Sequence, residues 1–326
     1  MEHTKLSEAE QLKSSKAKVG ISACLLGQKV RYDGGHKGSD FCQHALHEFV
    51  DYLPLCPEVG IGMTVPRPTI RLERGGQDEV RAVVPKTGQD VTDELSAFAD
   101  RYRDKIAQLS GYILCAKSPS CGMERVRVYE PGEKHNVKEG MGIFAQRLQQ
   151  LEPALPMEED GRLNDPLLRE NFVARLFVYA EWKALNKPVS KKDLYQFHTR
   201  HKLLLLAHDQ PLYRELGRLL GDLSELTSAF ADDYILKVMN ALKGPASKRD
   251  HTNVLQHVQG YFKNDLSAIE RQELADIILQ YRQGLEPLSA PLTLIKHYLR
   301  LFPKPYLLGQ SYFQPYPNEL RLRYGL

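Results

Sequence analysis

The feature that most constrains this chain is a change of texture near residue 160. Before it, short apolar runs are bounded by glycine and proline; after it, apolar residues recur at helical spacing. Val19-Gly20-Ile21-Ser22-Ala23-Cys24, Tyr52-Leu53-Pro54-Leu55-Cys56 and Gly111-Tyr112-Ile113-Leu114-Cys115 are three such runs, each giving way to turn-forming residues. Runs of this length closed by Gly and Pro read as buried strands. Helical segments are expected between them near 40–50 and 91–109, the second capped by Thr92. This alternation predicts an α/β domain: an open, mostly parallel sheet with flanking helices, and ligands beyond the carboxyl ends of the strands.

From about Asp160 onward the pattern predicts an all-α domain. Asp165 and Pro166 open a helix with Leu168, Phe172, Leu176 and Ala180 four residues apart. Ser190 with Asp193, and Ser267 with Glu270, have capping-box spacing, and Gly284 reads as a helix stop. Helices are expected over about 210–220, 224–243, 250–264, 267–283 and 291–301. The proline- and tyrosine-rich tail after Pro303 is expected to run extended. The resulting organisation is a flexible leader over 1–17, a first domain over 18–155 and a helical domain over 160–326, parted where Glu152-Pro153-Ala154-Leu155-Pro156 breaks the pattern.

Composition excludes some function classes. With 42% hydrophobic and 26% charged residues the chain is not of disordered type. No apolar run approaches the roughly 18 residues of a membrane span. The polar N-terminus lacks the apolar stretch of a secretory signal, so a cytoplasmic protein with no membrane association is expected. Five cysteines, an odd number, do not make a disulfide scaffold. All of them (Cys24, Cys42, Cys56, Cys115, Cys121) precede residue 122. Residues 1–160 carry 21 Lys+Arg against 24 Asp+Glu, whereas residues 161–326 carry 23 against 17. A neutral cysteine-bearing half beside a basic, tyrosine-rich half fits a chemistry domain joined to a binding domain.

Cys24, Cys56 and Cys121 each follow an expected strand end and are trailed by turn formers, so three thiols distant in sequence can meet at one sheet edge. Cys42, inside a helical stretch, and Cys115, inside a strand, read as packing residues. Three thiolates suit zinc or an iron–sulfur cluster. Spacing does not decide: the close pairs of structural zinc and the compact runs of ferredoxins are both missing around these positions, and buried structural cysteines remain open.

The runs Ile21-Ser22-Ala23-Cys24-Leu25-Leu26-Gly27, Val30-Arg31-Tyr32-Asp33-Gly34, Cys56-Pro57-Glu58 and Lys117-Ser118-Pro119-Ser120-Cys121-Gly122 strongly resemble the thiouracil desulfidase (TudS) family. The likeness covers about residues 18–150, and the remainder resembles the helical domain of YbgA-like proteins. Chains joining the two resemble desulfidases that return 4-thiouridine in tRNA to uridine. The resemblance implies a 4Fe–4S cluster held by Cys24, Cys56 and Cys121, a catalytic Glu58 and a catalytic Ser118, with Asp33, Lys117 and Ser120 as substrate-binding residues.

Exchange of a thiocarbonyl sulfur for oxygen is hydrolysis and needs no net electron transfer. Glu58 is then the base for the attacking water, a role that contributes typically about 10²–10⁴-fold, and Ser118 bonds the ring or carries the proton to the leaving sulfide. A tRNA substrate calls for a basic footprint, for which Lys191, Lys192, Arg200, Lys202, Lys248 and Arg249 are candidates at predicted helix ends. A thiolated base would also have to leave its stack to react. Tyr306, Tyr312, Phe313 and Tyr316 read as a packed strap, and His198, His201 and His208 as satisfied histidines. Free thiouracil or a thionucleotide as substrate, or an RNA-binding or redox-sensing role without catalysis, are the competing functions. The oligomeric state is left open.

Overall fold

The structure, a computed structural model, describes residues 16–76, 79–133 and 135–324. Residues 1–15 of the expected leader lie outside the described residues, and Ala17 already opens the first strand. The chain divides into two compact units, the first ending at Asp165 and the second beginning at Pro166. No helix among the described residues is long and apolar enough to cross a membrane.

In the first unit, strands β1 (Ala17–Ser22) and β2 (Val50–Leu55) precede a one-turn helix, α1 (Pro57–Gly60). There follow β3 (Arg71–Arg74), β4 (Val80–Val84), β5 (Gln89–Asp90), helices α2 (Thr92–Arg101) and α3 (Arg103–Ile106), and β6 (Gly111–Leu114). Strands β7 (Val126–Tyr129) and β8 (Asn136–Gly140), helix α4 (Ile143–Leu151) and β9 (Met157–Glu159) complete it. One sheet has the order β2-β1-β6-β9, and every pairing in it is parallel. Val19, Ile21, Ile113 and Leu114 are fully buried in it, as a sheet covered on both faces requires. Phe98 of α2 and Phe144 of α4 meet at 5.8 Å, and Phe144 stacks edge-on against Tyr112 of β6.

A second, mixed sheet of order β5-β4-β3-β7-β8 was not anticipated. Its strands alternate: Leu72, Ala82, Val84, Val126 and Val128 face a small core with Leu95 and Ile143, while Arg71 and Arg81 pair with Glu73 and Glu79 on the outer side, and Arg74, at the end of β3, pairs with Glu130 and Glu139. Two further expectations need correction. The helix near 40–50 is only a π turn at Phe41–Ala45, because parallel pairing of Ala17 with Val50 draws the following residues into β2. Thr92 is the first helical residue rather than the cap; its hydroxyl donates to Asp90 at 2.6 Å and accepts from the Ala82 N–H at 2.8 Å, tying the helix start to β4.

The second unit is helical: α5 (Pro166–Lys183), α6 (Lys191–His208), α7 (Gln210–Gly221), α8 (Ser228–Ala241), α9 (Lys248–Gln259), α10 (Ala268–Gln283), α11 (Ser289–Leu301) and the short α12 (Pro305–Leu308). Side-chain caps start four of them, at Ser190, Asp209, Thr227 and Ser247. Ser267 and Glu270 form a reciprocal capping box, and Gly284 ends α10 at φ +83°. The tail after Pro303 is not extended. It makes α12 and short 3₁₀ turns, because Tyr312, Phe313 and Tyr316 are buried against the bundle.

This bundle should be acid-sensitive. Burial pushes His198 down to about 4, and burial together with Arg323 pushes His251 down to about 3, from 6.5. Both rings are therefore neutral when folded, while the unfolded chain takes up protons below pH 6.5. Stability is fully present above that pH and falls as pH drops toward 4, by about 2 kcal/mol per histidine at pH 5. The single Trp, buried Trp182 on α5, reports this unit alone. Its urea midpoint should fall markedly between pH 7 and 5, and His251→Gln should flatten the dependence.

Candidate active site

The parallel sheet delivers chemistry at each strand's carboxyl end. Strand β1 runs into a 3₁₀ turn, Ala23–Leu26, which carries Cys24 and is closed by Gly27 at φ +84°. Strand β2 ends at Leu55, so Cys56 becomes the N-cap of α1, with extended backbone and Pro57 at the first helical position. Pro suits that position because its fixed φ is helical and it has no N–H to orphan. Burial raises the Cys56 thiol's pKa, and the backbone N–H groups of Val59 and Glu58, with Arg67, partly offset this. Cys-Pro-Glu is thus a way of aiming helix N–H groups at a sulfur.

Because β6 lies beside β1 and opposite β2, the gap between the ends of β1 and β6 is where the strand order reverses, the usual place for a ligand in such sheets. Cys115 stands there, one residue beyond β6. Its N–H donates to Ser22 Oγ at 3.0 Å and its thiol to the Ala116 carbonyl at 4.0 Å. Interaction with Cys24 and the Lys37 ammonium make Cys115 the more acidic of the two, while Cys24 is driven up. Lys37 in turn pairs with Asp160, just past β9, at 2.9 Å. Cys115 is buried, as expected, but lies just past the strand rather than inside it. Cys42 is fully buried on the π turn.

Cys121 arrives on a loop. Ser118 Oγ accepts from the N–H groups of Ser120 and Cys121 at 3.2 and 3.1 Å, and the loop carbonyls of Pro119 and Ser120 accept from Ile143 and Ala145 at the start of α4. Gly142 makes this docking possible: a Cβ there would stand 2.5 Å from the Ser120 carbonyl and 2.8 Å from Cys121 N. Gly142→Ala should accordingly cost about 1–3 kcal/mol, seen as a lower urea midpoint of the first unit by circular dichroism. Cys121 is buried, its thiol raised by that burial and by Cys115 and Cys56.

Glu58 is held from both sides. Arg67 donates to Oε2 through Nη2 at 2.6 Å and Nε at 2.8 Å, and the Ser120 hydroxyl donates to Oε1 at 2.8 Å. The Arg67 side chain is only 3% exposed and also bonds the Val30 carbonyl at 2.9 Å, so it ties the loop after Cys24 to α1. Ser120, expected at the substrate, is buried and orients the carboxylate. Asp33 lies at an exposed turn, accepting the Gly35 N–H at 3.0 Å, and Lys117 is exposed with φ +65°; neither is brought to the thiols by these contacts. Arg67, Lys37, Ser22 and Asp160 were missed. The only sequence signals were Arg67 between two prolines and the acidic run Glu158-Glu159-Asp160 after an apolar stretch.

In the helical unit, Lys191 donates to the carbonyls of Leu223 and Ser224, and Arg200 grips Glu181 at 2.8 and 3.1 Å. Those two cations fasten helices together. Lys192, Lys248 and Arg249 are exposed and Lys202 half-buried; Arg249 lines a polar cleft of about 220 Å³ with Arg282, Gln210, Asn253 and Gln256.

Among the described residues no three His, Cys, Asp or Glu side chains gather closely enough to share one metal ion. The thiols nevertheless form one electrostatic set: Cys24 feels Cys115, Cys121 and Cys56. Soft sulfur donors are the kind an iron–sulfur cluster takes. The Tyr112 hydroxyl is buried without a hydrogen-bond partner among the described residues and feels Cys121, Cys56 and Cys24 electrostatically.

A family profile described as 2-thiouracil desulfurase matches residues 19–160. The uncharacterized protein YbbK of Bacillus subtilis (strain 168) is 33% identical over 109 residues, covering 31% of this chain and 71% of YbbK. Through its first half, the chain belongs to the 2-thiouracil desulfurase family. Membership makes it an enzyme of the desulfurase class. The second half is YbgA-like: the uncharacterized protein YbgA of Escherichia coli (strain K12) is 41% identical over 159 residues, 48% of this chain and 94% of YbgA. A profile described as a protein of unknown function (DUF1722) matches residues 202–317. A solved structure, the 4Fe-4S-dependent thiouracil desulfidase TudS, shares 33% identity, covering 46% of this chain and 95% of its own, with a TM-score of 0.38. In this desulfurase, the family match runs from Val19 in β1 past the end of β9 and takes in all five cysteines.

Proposed function

We propose that the chain is a desulfidase that removes sulfur from 4-thiouridine in tRNA by hydrolysis, using a 4Fe–4S cluster held by Cys24, Cys56 and Cys121. The observation that carries this reading is Cys24 and Cys56 at neighbouring parallel strand ends, with the carboxylate of Glu58 anchored by Arg67 and by Ser120 of the Cys121 loop. The net reaction, thiocarbonyl plus water giving carbonyl plus hydrogen sulfide, moves no electrons. A cluster with one iron free of protein ligands supplies a Lewis-acid position for a soft sulfur.

The protein's own groups account for the proton traffic. With Arg67 on Oε2, Glu58 keeps a lone pair of Oε1 beside the Ser120 bond, and there it takes the proton of the water that attacks the ring carbon. The Ser118 oxygen accepts from two loop N–H groups, which leaves its own proton to donate to the ring or the departing sulfur. Lys37, held by Asp160, places an ammonium at the thiol edge, where it favours an anionic sulfur against the opposing carboxylate.

The tRNA substrate is supported by the resemblance to two-domain tRNA desulfidases and by the excess of Lys+Arg, 23 against 17, in residues 161–326. Thiolated tRNA and free 4-thiouracil are incubated with oxygen-free protein. Loss of the near-ultraviolet absorbance of tRNA supports the proposal; loss from the free base alone rejects tRNA as substrate. Reversing charge at Lys192, Lys248 and Arg249 should weaken tRNA binding across sequences and flatten its salt slope by about one unit for each phosphate the protein no longer neutralises.

A further inference from the structure

We infer that the Tyr112 hydroxyl donates a hydrogen bond to sulfur of the bound iron–sulfur group, an assignment that rests on the reading of these cysteines as its ligands. Tyr112 sits mid-strand in β6 and is fully buried, and its Oη has no hydrogen-bond partner among the described residues. A buried hydroxyl left unpaired carries its whole desolvation cost, and phenylalanine would fill the same space without it. Such a group in a native protein points to a partner other than the chain.

The ring is fixed by its neighbours, and the charges that reach the hydroxyl point to the partner. Tyr112 pairs with Gly20 across the β1–β6 ladder, and a Cβ at Gly20 would stand 2.2 Å from the ring's Cδ2. Gly20 therefore leaves the space the ring occupies over β1. Phe144 braces its other side at 5.8 Å. The hydroxyl comes within electrostatic reach of Cys121, Cys56 and Cys24, the three sulfurs assigned as ligands. Burial also holds the phenol protonated, so it is a donor and not an acceptor. Donors to cluster sulfur stabilise the more negative, reduced state, and are among the terms that set a cluster's potential.

The test compares full-length wild type and Tyr112→Phe, each prepared without oxygen in cluster-loaded and cluster-free form. The variant keeps the ring and so the packing. Cluster-free Tyr112→Phe should be at least as stable to urea as wild type. Loading should stabilise the variant about tenfold less in its unfolding equilibrium, and its midpoint potential should fall, by 59 mV for a tenfold change in a one-electron couple. Equal stability changes in both forms with an unchanged potential would overturn the inference and leave Tyr112 a packing residue. If wild type takes up no iron and sulfide, the desulfidase reading falls too; if wild type loads and the variant matches it, only the tyrosine assignment falls.

Discussion

Glu58→Gln should lose turnover by about 10²–10⁴-fold while its iron and sulfide stay at wild-type levels, because it removes the base and no ligand. The same substitution strands Arg67, whose side chain is 3% exposed. Removing one partner of a buried ion pair leaves an uncompensated charge, costing about 3 kcal/mol at the lower end of such cases. These two losses are separable. In Glu58→Gln/Arg67→Gln the charge imbalance is gone, so the urea midpoint should recover most of its fall and turnover none. Turnover that returns with stability would make Glu58 a structural anchor for the loop at Val30. Turnover unaffected by Glu58→Gln would remove it from the mechanism.

Replacing Cys24, Cys56 or Cys121 by serine should bring iron from about four per chain to background, with complete loss of sulfur release. Cys115→Ser is the instructive contrast. Its thiol interacts with Cys24 and is backed by Lys37, so it belongs to the same electrostatic set. A fourth protein ligand would nonetheless close the vacant position that thiocarbonyl sulfur needs. Cys115→Ser should keep iron and sulfide and most of its turnover. A variant emptied by this substitution would mean that four thiols bind the metal, and an open-iron mechanism would not survive.

What could be read in advance depended on how local its causes were. The strand ends at Cys24 and Cys56 were legible because Gly27 and Pro57 terminate structure where they stand. Most bundle helices were legible for the same reason: Ser190, Ser267 and Gly284 cap within three residues of themselves. Cys115 was misplaced by a single residue, since nothing in Gly-Tyr-Ile-Leu-Cys says where pairing with β1 and β9 stops. The second sheet hid in strands of two to five residues whose outward positions are charged, Arg71, Arg74 and Arg81 among them. Its alternation was real but too short to stand out against turns. Arg67 was marked only by its flanking prolines, because its partner Glu58 meets it only after the chain has doubled back. The tail was misjudged because proline content speaks of backbone preference, and burial of Tyr312, Phe313 and Tyr316 overrode it.

The account turns on thiols from separate strands enclosing one inorganic centre. Iron and acid-labile sulfide, measured with the visible spectrum on protein purified without oxygen, address that directly. About four of each per chain, with broad absorption in the visible that bleaches on chelation, is the predicted result. Zinc in place of iron, or a colourless and metal-free protein that still releases sulfide from thiolated pyrimidines, would contradict it.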